Sequence, residues 1–180
     1  AGHPSGDESK CGYLAPSDIG NVHRAGFHAP SMRSLLCCVA ATSEWDVGAS
    51  EVPWQARSGS ASLAAGGGAL VMIGGFGTAD NLADVWVSHD GASTWVEATR
   101  VAAFGPRHGA AAFVVAGSTV VVAGGFNGSF LSDVWISQNV TNGTFVKATS
   151  SVPWAARSFA AACTVPCDGG ECLLLSGGVG

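Results

Sequence analysis

A sequence repeat of about 50 residues runs through most of the chain and restricts the folds that it can adopt. Arg57, Arg107 and Arg157 are spaced 50 residues apart, and each stands shortly before a run of small and apolar residues. A unit of this length cannot bury its apolar faces alone, so neighbouring units must pack against one another. The repeat therefore predicts an array of similar units.

Several shorter motifs recur in register with the arginines. They are the double glycines Gly74-Gly75, Gly124-Gly125 and Gly177-Gly178, the Asp-Val-Trp triplets ending at Trp86 and Trp135, the aromatic residues Trp45, Trp95 and Phe145, and the Val-Pro-Trp triplets ending at Trp54 and Trp154. Because the motifs keep the same order in each unit, they predict that the units share one internal structure.

Each unit contains four predicted strands. In residues 51–100 they cover about 59–65, 69–75, 84–88 and 94–99. Alternating or β-branched residues bounded by glycine clusters carry this prediction. Four antiparallel strands in about 50 residues are typical of one blade of a β-propeller.

The motifs resemble the kelch repeat, which has a double glycine after its second strand, an Asp-Val-Trp-like third strand and a Trp on its fourth. The resemblance covers residues 34–180, with Phe76 and Phe126 where a tyrosine commonly follows the glycines. It implies an all-β fold of kelch-type β-propeller blades, each of four antiparallel strands, in an incomplete ring. It also implies that the repeated Arg, Gly and Trp residues are structural.

The repeat divides the chain into five segments. Residues 1–33 match it poorly and are an N-terminal segment of uncertain structure. Residues 34–50 are expected to form half a blade (strands three and four), 51–100 and 101–150 a whole kelch blade each, and 151–180 half a blade (strands one and two). A propeller typically needs roughly four to eight blades. We therefore expect other parts of the same polypeptide, or a second copy with complementary halves, to complete it.

Composition disfavours several classes of function. Only 12% of the residues are charged and the net charge is −5, which leaves no basic surface for nucleic acid. No apolar run reaches the roughly 18 residues of a membrane span. The glycine clusters end strands and do not open helices, so no nucleotide or other cofactor site is predicted.

Three N-glycosylation sequons lie close together, at Asn127, Asn139 and Asn142. All three fall in predicted loops, and we expect at least one N-linked glycan. The chain also has six cysteines. Sequons and cysteines together favour an oxidising compartment, and hence a secreted or cell-surface location.

One disulfide is predicted, between Cys167 and Cys172. These residues flank a four-residue segment, 168–171, which reads as a hairpin turn between the first two strands of the last blade. A tight turn would place the two cysteines opposite each other. The pairing of the other four cysteines, Cys11, Cys37, Cys38 and Cys163, stays open. Cys37 and Cys38 point to opposite faces of a predicted strand, so they should not share a partner.

No pattern in the chain predicts a catalytic or metal site. The histidines form no set with cysteine or carboxylate at ligand spacing. A copper-radical oxidase on a kelch propeller would need tyrosine ligands, whereas the single tyrosine, Tyr13, lies outside the repeats. Residues 88–95 resemble the Asp-box turn of sialidase-type propellers, which is itself structural. We therefore predict a protein that is not an enzyme.

Three classes of function stay open at this point. The favoured class is a structural or protein-interaction module of an extracellular or cell-surface glycoprotein, since propellers present loops on a rigid scaffold. The second is a non-catalytic propeller region of a larger secreted carbohydrate-active enzyme. The third is an intracellular kelch adaptor, which occupied glycans would exclude.

Overall fold

A computed structural model describes residues 37–39, 45–47, 49, 51–168 and 170–180. In these ranges the chain forms twelve β-strands in four antiparallel sheets, with two short 3-10 turns and no α-helix. The prediction of an all-β chain is confirmed. The segment 1–33, with Cys11, lies outside the described residues. None of the described segments is a helix long and apolar enough to cross a membrane.

The first sheet is an antiparallel pair of short strands, β1 (Cys37–Val39) and β2 (Trp45–Val47). Cys37 lies opposite Val47 in this pair. The pair falls within residues 34–50, where two strands were expected. Only its backbone is described, so the side chains of Cys37, Cys38 and Trp45 lie outside the description.

The first whole repeat, residues 51–100, forms a four-stranded sheet. Its strands are β3 (Ala61–Ala65), β4 (Ala69–Phe76), β5 (Asn81–Ser88) and β6 (Val96–Thr99), hydrogen-bonded in that order. All four strands lie where the sequence predicts them. The third begins earlier than expected, because pairing with β4 resumes at Asn81 after an irregularity between Ile73 and Gly75.

The second whole repeat, residues 101–150, forms the same kind of sheet. Its strands are β7 (Ala111–Val115), β8 (Thr119–Ala123), β9 (Val134–Ser137) and β10 (Val146–Thr149), again paired in chain order. Equivalent residues face each other in the two sheets: Trp86 lies opposite Met72, and Trp135 lies opposite Val122. The repeated sequence therefore gives a repeated register.

The last sheet is a hairpin of β11 (Ala161–Cys167) and β12 (Gly170–Ser176). A disulfide joins Cys167 to Cys172, as predicted, with the two Cα atoms 5.7 Å apart. The expectation that these cysteines face each other is wrong. Cys167 lies opposite Gly170, and Cys172 lies opposite Val165. Strand pairing extends two residues further toward the turn than expected, so the disulfide joins diagonal neighbours, which are still within reach of each other.

The double glycines connect consecutive repeats. Gly74 and Gly75 have φ angles of 55° and 109°, values that residues with a Cβ atom rarely adopt. The Gly75 amide donates to the Arg107 carbonyl of the next repeat at 2.9 Å. A Cβ atom on Gly74 would lie only 2.8 Å from that carbonyl oxygen. The missing side chain thus lets two backbones meet where the sheets adjoin.

The two whole sheets and the last hairpin adjoin at their first strands, and the two whole sheets also share an apolar core. The Gly109 amide donates to the Gly59 carbonyl, and the Phe159 amide donates to the Gly109 carbonyl, both at 2.7 Å. Buried valines from both whole sheets join one core, including Val85 and Val122. Full burial of a valine side chain contributes roughly 1.5–3 kcal/mol, so this core is a main source of cohesion between the repeats.

Candidate functional site

The repeated arginine of the first repeat is part of a buried hydrogen-bonded unit. The Nη1 and Nη2 atoms of Arg57 donate to the two carboxylate oxygens of Asp84, at 2.6 and 2.8 Å. Nη1 also donates to the Gly74 carbonyl at 2.9 Å. The indole of Trp86 donates to Asp84 Oδ2 at 2.8 Å. Asp84 and Trp86 stand two residues apart on β5, so their side chains share one face of the sheet.

The second repeat builds the same unit. Arg107 donates to both carboxylate oxygens of Asp133, at 2.7 and 3.1 Å, and to the Gly124 carbonyl at 2.9 Å. Arg107 also donates to the Phe104 carbonyl, and Trp135 donates to Asp133 at 2.7 Å. Burial raises the pKa of Asp133, but the hydrogen bonds from Arg107 and Trp135 outweigh it and leave that pKa below its usual value. The side chains of both arginines are thus engaged by a carboxylate and a glycine carbonyl of their own repeat.

The turn that resembles an Asp box is held by its own side chains. The Asp90 carboxylate accepts hydrogen bonds from the Thr94 amide at 2.8 Å and from the Thr94 hydroxyl at 2.6 Å. Ser88 Oγ donates to Asp90 and accepts from the Ala92 amide, both at 2.9 Å. These bonds, those from Thr94 first, lower the pKa of Asp90 to about 2. All four groups serve to close the β5–β6 hairpin.

The matching turn of the second repeat contains two of the three sequons. Asn139 accepts hydrogen bonds from the backbone and hydroxyl of Thr141. Asn142 accepts from the Thr144 amide at 3.0 Å and so replaces Asp90 in closing the turn. The side chains of Asn127, Asn139 and Asn142 are all exposed. Their glycosylation stays a prediction.

A cluster of rings from three repeats lies near the double glycines and was not predicted from the sequence. We call Phe76, His108, Phe126, Phe130 and Phe159 the aromatic cluster. His108 is at its centre, with ring centroids 5.7 Å from Phe76, 5.5 Å from Phe126 and 5.6 Å from Phe159. Phe130 packs on Phe126 at 5.1 Å. The His108 Nδ1 atom lies 2.6 Å from Asn81 Oδ1, which fixes the orientation of the imidazole.

Three rings of the aromatic cluster face solvent. Phe76 is 39% exposed, Phe130 is 40% exposed and Phe159 is 57% exposed. Large apolar side chains gathered on a surface mark sites of interaction more often than single exposed ones do. Aromatic rings are also enriched at the centres of protein interfaces. The aromatic cluster can therefore bind an apolar or ring-bearing partner.

Phe159 has a strained backbone. Its φ is 55°, in the left-handed region, whereas the equivalent residues of the two preceding repeats, Gly59 and Gly109, are glycines with φ 61°. A residue with a Cβ atom costs roughly 1–2 kcal/mol in this conformation. The ring lies over both glycines, since a Cβ atom on Gly109 would meet it at 3.1 Å and one on Gly59 at 3.2 Å. A strained, solvent-facing phenylalanine at a glycine position points to a role outside folding.

The sequence contains a signal for the aromatic cluster. Aligning the repeats by their arginines gives Ser58, His108 and Ser158 at one position, followed by Gly59, Gly109 and Phe159 at the next. His108 and Phe159 are the two departures from the pattern, and both contribute to the aromatic cluster. Departures of this kind are informative because the remaining positions are set by the shared fold.

Within the described ranges, no group of three or more His, Cys, Asp and Glu side chains is placed to hold a metal ion. A search of known protein families finds none that matches the chain, and a search of curated proteins finds no match.

Proposed function

We propose that the chain carries kelch-type β-propeller blades of an extracellular or cell-surface glycoprotein, and that it is a protein-interaction module without catalytic activity. The observation that carries this proposal is Phe159, an exposed ring in a strained backbone that lies over Gly59 and Gly109 of the two preceding repeats. The aromatic cluster is the proposed contact surface.

The two whole sheets support the kelch-type assignment. Each has four antiparallel strands in chain order, and each joins its arginine to a glycine carbonyl and an Asp-x-Trp strand by the same hydrogen bonds. Consecutive sheets adjoin through their first strands, as the blades of a propeller do. The short pairs β1–β2 and β11–β12 fit the second and first halves of such a blade.

Two features support an extracellular location. The Cys167–Cys172 disulfide is typical of an oxidising compartment. The three sequon asparagines are exposed. Mass spectrometry of glycopeptides from native protein tests this part, and we expect a glycan on at least one of the three. Finding all three asparagines unmodified would contradict the location and leave the binding role to be tested separately.

The binding role is tested with the Phe159→Gly variant. This substitution restores the residue found at positions 59 and 109, so the variant should fold. Wild-type and variant chains are immobilised and exposed to the secreted proteins of the source organism. We expect at least one protein that the wild type retains saturably and the variant loses.

A second surface provides the matched control. Val146 is 67% exposed and lies on β10, outside the aromatic cluster. Val146→Ser removes a comparable exposed apolar group, and we expect it to bind the same protein as the wild type does. Equal retention by wild type and Phe159→Gly, or no retention by either, would contradict the proposed contact surface.

A further inference from the structure

The fourth strands of the two whole repeats differ in one charged residue. β6 reads Val-Glu-Ala-Thr and β10 reads Val-Lys-Ala-Thr, so Glu97 stands where the second repeat has Lys147. Glu97 lies directly opposite Trp86 of the third strand. Lys147 lies opposite Trp135 in the same way. Residues paired across two strands have Cβ atoms roughly 4.5–5.5 Å apart on one face of the sheet. The two repeats therefore place opposite charges beside the same repeated indole ring.

In the second repeat an ammonium group of the chain itself lies over the indole. The Nζ atom of Lys147 is 4.9 Å from the centroid of the Trp135 ring. This distance is within the range of a cation–π contact. Lys147 is exposed, although a whole repeat precedes this sheet. This position on the sheet therefore stays open to solvent when the neighbouring repeat is in place.

In the first repeat a cavity lies at the corresponding position. It has a volume of about 290 Å³, and its lining includes Trp54, Asp84, Trp86 and Glu97. We call it the Trp86 cavity. The ring centroids of Trp54 and Trp86 are 5.5 Å apart, so two packed indole rings belong to the lining. Among the described residues, no cationic group lies over the Trp86 ring. The Trp86 cavity thus offers an aromatic ring and a carboxylate where the second repeat places an ammonium.

The charges around the Trp86 cavity favour a cation as its ligand. Asp84 forms a bidentate pair with Arg57, so these two residues together add no net charge. Glu97 pairs with Arg100 at 3.3 Å, and the Arg100 side chain is 84% exposed. An ion pair that is this exposed is weak, because water screens it. A ligand cation can therefore replace Arg100 at the Glu97 carboxylate.

We propose that the Trp86 cavity binds an alkylammonium group, from a lysine side chain of a partner protein or from a free amine. The ammonium lies over the Trp86 ring and pairs with Glu97, and its methylene stem packs against Trp54. A lysine-like group fits because Lys147 is the residue that the chain itself uses at the equivalent position. The site is separate from the aromatic cluster and does not rest on the binding role proposed there.

Two peptides test the charge of the ligand. They are acetyl-Gly-Lys-Gly-amide and the same peptide with an acetyl group on the lysine Nζ atom, which removes the charge and keeps the stem. Binding to the whole chain is followed by NMR, through the indole N–H signals of the tryptophans. We expect the lysine peptide to shift the Trp86 signal saturably and to leave the Trp135 signal unchanged. The acetylated peptide should bind about fivefold more weakly.

Variants of the chain exchange the two repeats at this position. Glu97→Lys gives the first repeat an ammonium of its own, so it should abolish the shift of Trp86. Lys147→Glu takes the ammonium away from Trp135 and should create a second site, so that the peptide now shifts both tryptophans. Val146→Ser changes the neighbouring residue of β10 and is the control, in which Trp86 alone should shift.

Three results would overturn the proposal. They are the absence of a saturable Trp86 shift up to the solubility limit of the lysine peptide, equal affinity for the two peptides, and unchanged binding by Glu97→Lys. The first two use the wild-type chain and do not depend on the folding of a variant. Butylammonium then separates the two sources of the ligand. Binding at least as tight as that of the lysine peptide supports a free amine, and weaker binding supports a lysine of a partner protein.

Discussion

Arg107 and Asp133, 26 residues apart in sequence, form a bidentate ion pair in which the arginine side chain is 3% exposed and the aspartate side chain 13% exposed. Asp133→Asn would leave a buried guanidinium without a counter-charge. We expect a loss of about 3 kcal/mol in the free energy of unfolding, measured by urea denaturation. Asp80→Asn, in an exposed loop, is the control and should change stability by less than about 0.5 kcal/mol. Equal stability of the Asp133 variant and the wild type would contradict a structural role for the pair.

The two hairpin turns offer a matched pair of serines. Ser88 and Ser137 are each 1% exposed, but Ser88 Oγ has two hydrogen-bond partners and Ser137 Oγ has none among the described residues. Ser88→Ala would leave the amide of Ala92 buried without an acceptor, so we expect it to destabilise the fold by roughly 1–3 kcal/mol. Ser137→Ala removes an unsatisfied hydroxyl and should be neutral or slightly stabilising. Thermal unfolding of both variants measures this difference in stability. An equal loss of stability in the two variants would contradict the prediction.

The repeat in the sequence was enough to predict the strands of both whole sheets. It works because the arginine, double glycine and Asp-Val-Trp motifs each sit at a strand end or on a strand face, where the contacts are the same in every repeat. The early start of β5 at Asn81 was missed, and it is particular to this repeat, since β9 begins only at Val134 although Gly124 and Gly125 also have positive φ angles. Alternation of apolar residues in the sequence does not show at which residue the pairing of two strands begins.

The aromatic cluster was harder to predict because it has no local pattern. Phe76 and Phe159 are separated by more than 80 residues, and His108 brings them together only after three repeats adjoin. The Cys167–Cys172 disulfide was predicted, but its diagonal geometry was missed for a related reason. Sequence spacing limits which cysteines can meet, but the register of β11 and β12 decides how they meet.

Acid should weaken the β5–β6 turn over a defined range. The pKa of Asp90 falls from 3.8 to about 2 in the folded chain. Between these two values the unfolded chain binds more protons than the folded chain, so stability rises with pH there. The contribution of Asp90 is complete above about pH 4 and is lost as the pH falls through 2. Asp90→Asn should flatten the pH dependence of unfolding between pH 4 and 2, and Asp80→Asn is the control. An unchanged slope in the Asp90 variant would contradict this role.

The disulfide should stabilise the last hairpin. In the chain-entropy model, closing so short a loop contributes about 2 kcal/mol. We expect the double variant Cys167→Ser/Cys172→Ser to lose that amount in urea denaturation. Cys163→Ser is the control, because Cys163 is exposed and not part of this disulfide. Non-reducing peptide mapping should recover Cys167 linked to Cys172, and recovery of Cys163 linked to either one would show a different pairing.

The strain at Phe159 predicts that glycine is more stable than alanine at this position, the reverse of the usual order. In a strand or an extended segment, alanine is more stable than glycine by roughly 0.5–1 kcal/mol, because glycine loses more backbone entropy on folding. At position 159 the left-handed φ of 55° should reverse this order. We therefore expect Phe159→Gly to be more stable than Phe159→Ala by about 1 kcal/mol.

The neighbouring residue supplies the reference for this comparison. Ala160 does not have a positive φ, so Ala160→Gly should lower stability. Both comparisons measure the stability of alanine against that of glycine, at two neighbouring positions. Effects of the shared surroundings on stability therefore largely cancel. The free energies of unfolding of Phe159→Gly, Phe159→Ala, Ala160→Gly and the wild type give both differences. If alanine is the more stable residue at both positions, Phe159 is not strained, and the main reason to assign the aromatic cluster a binding role is lost.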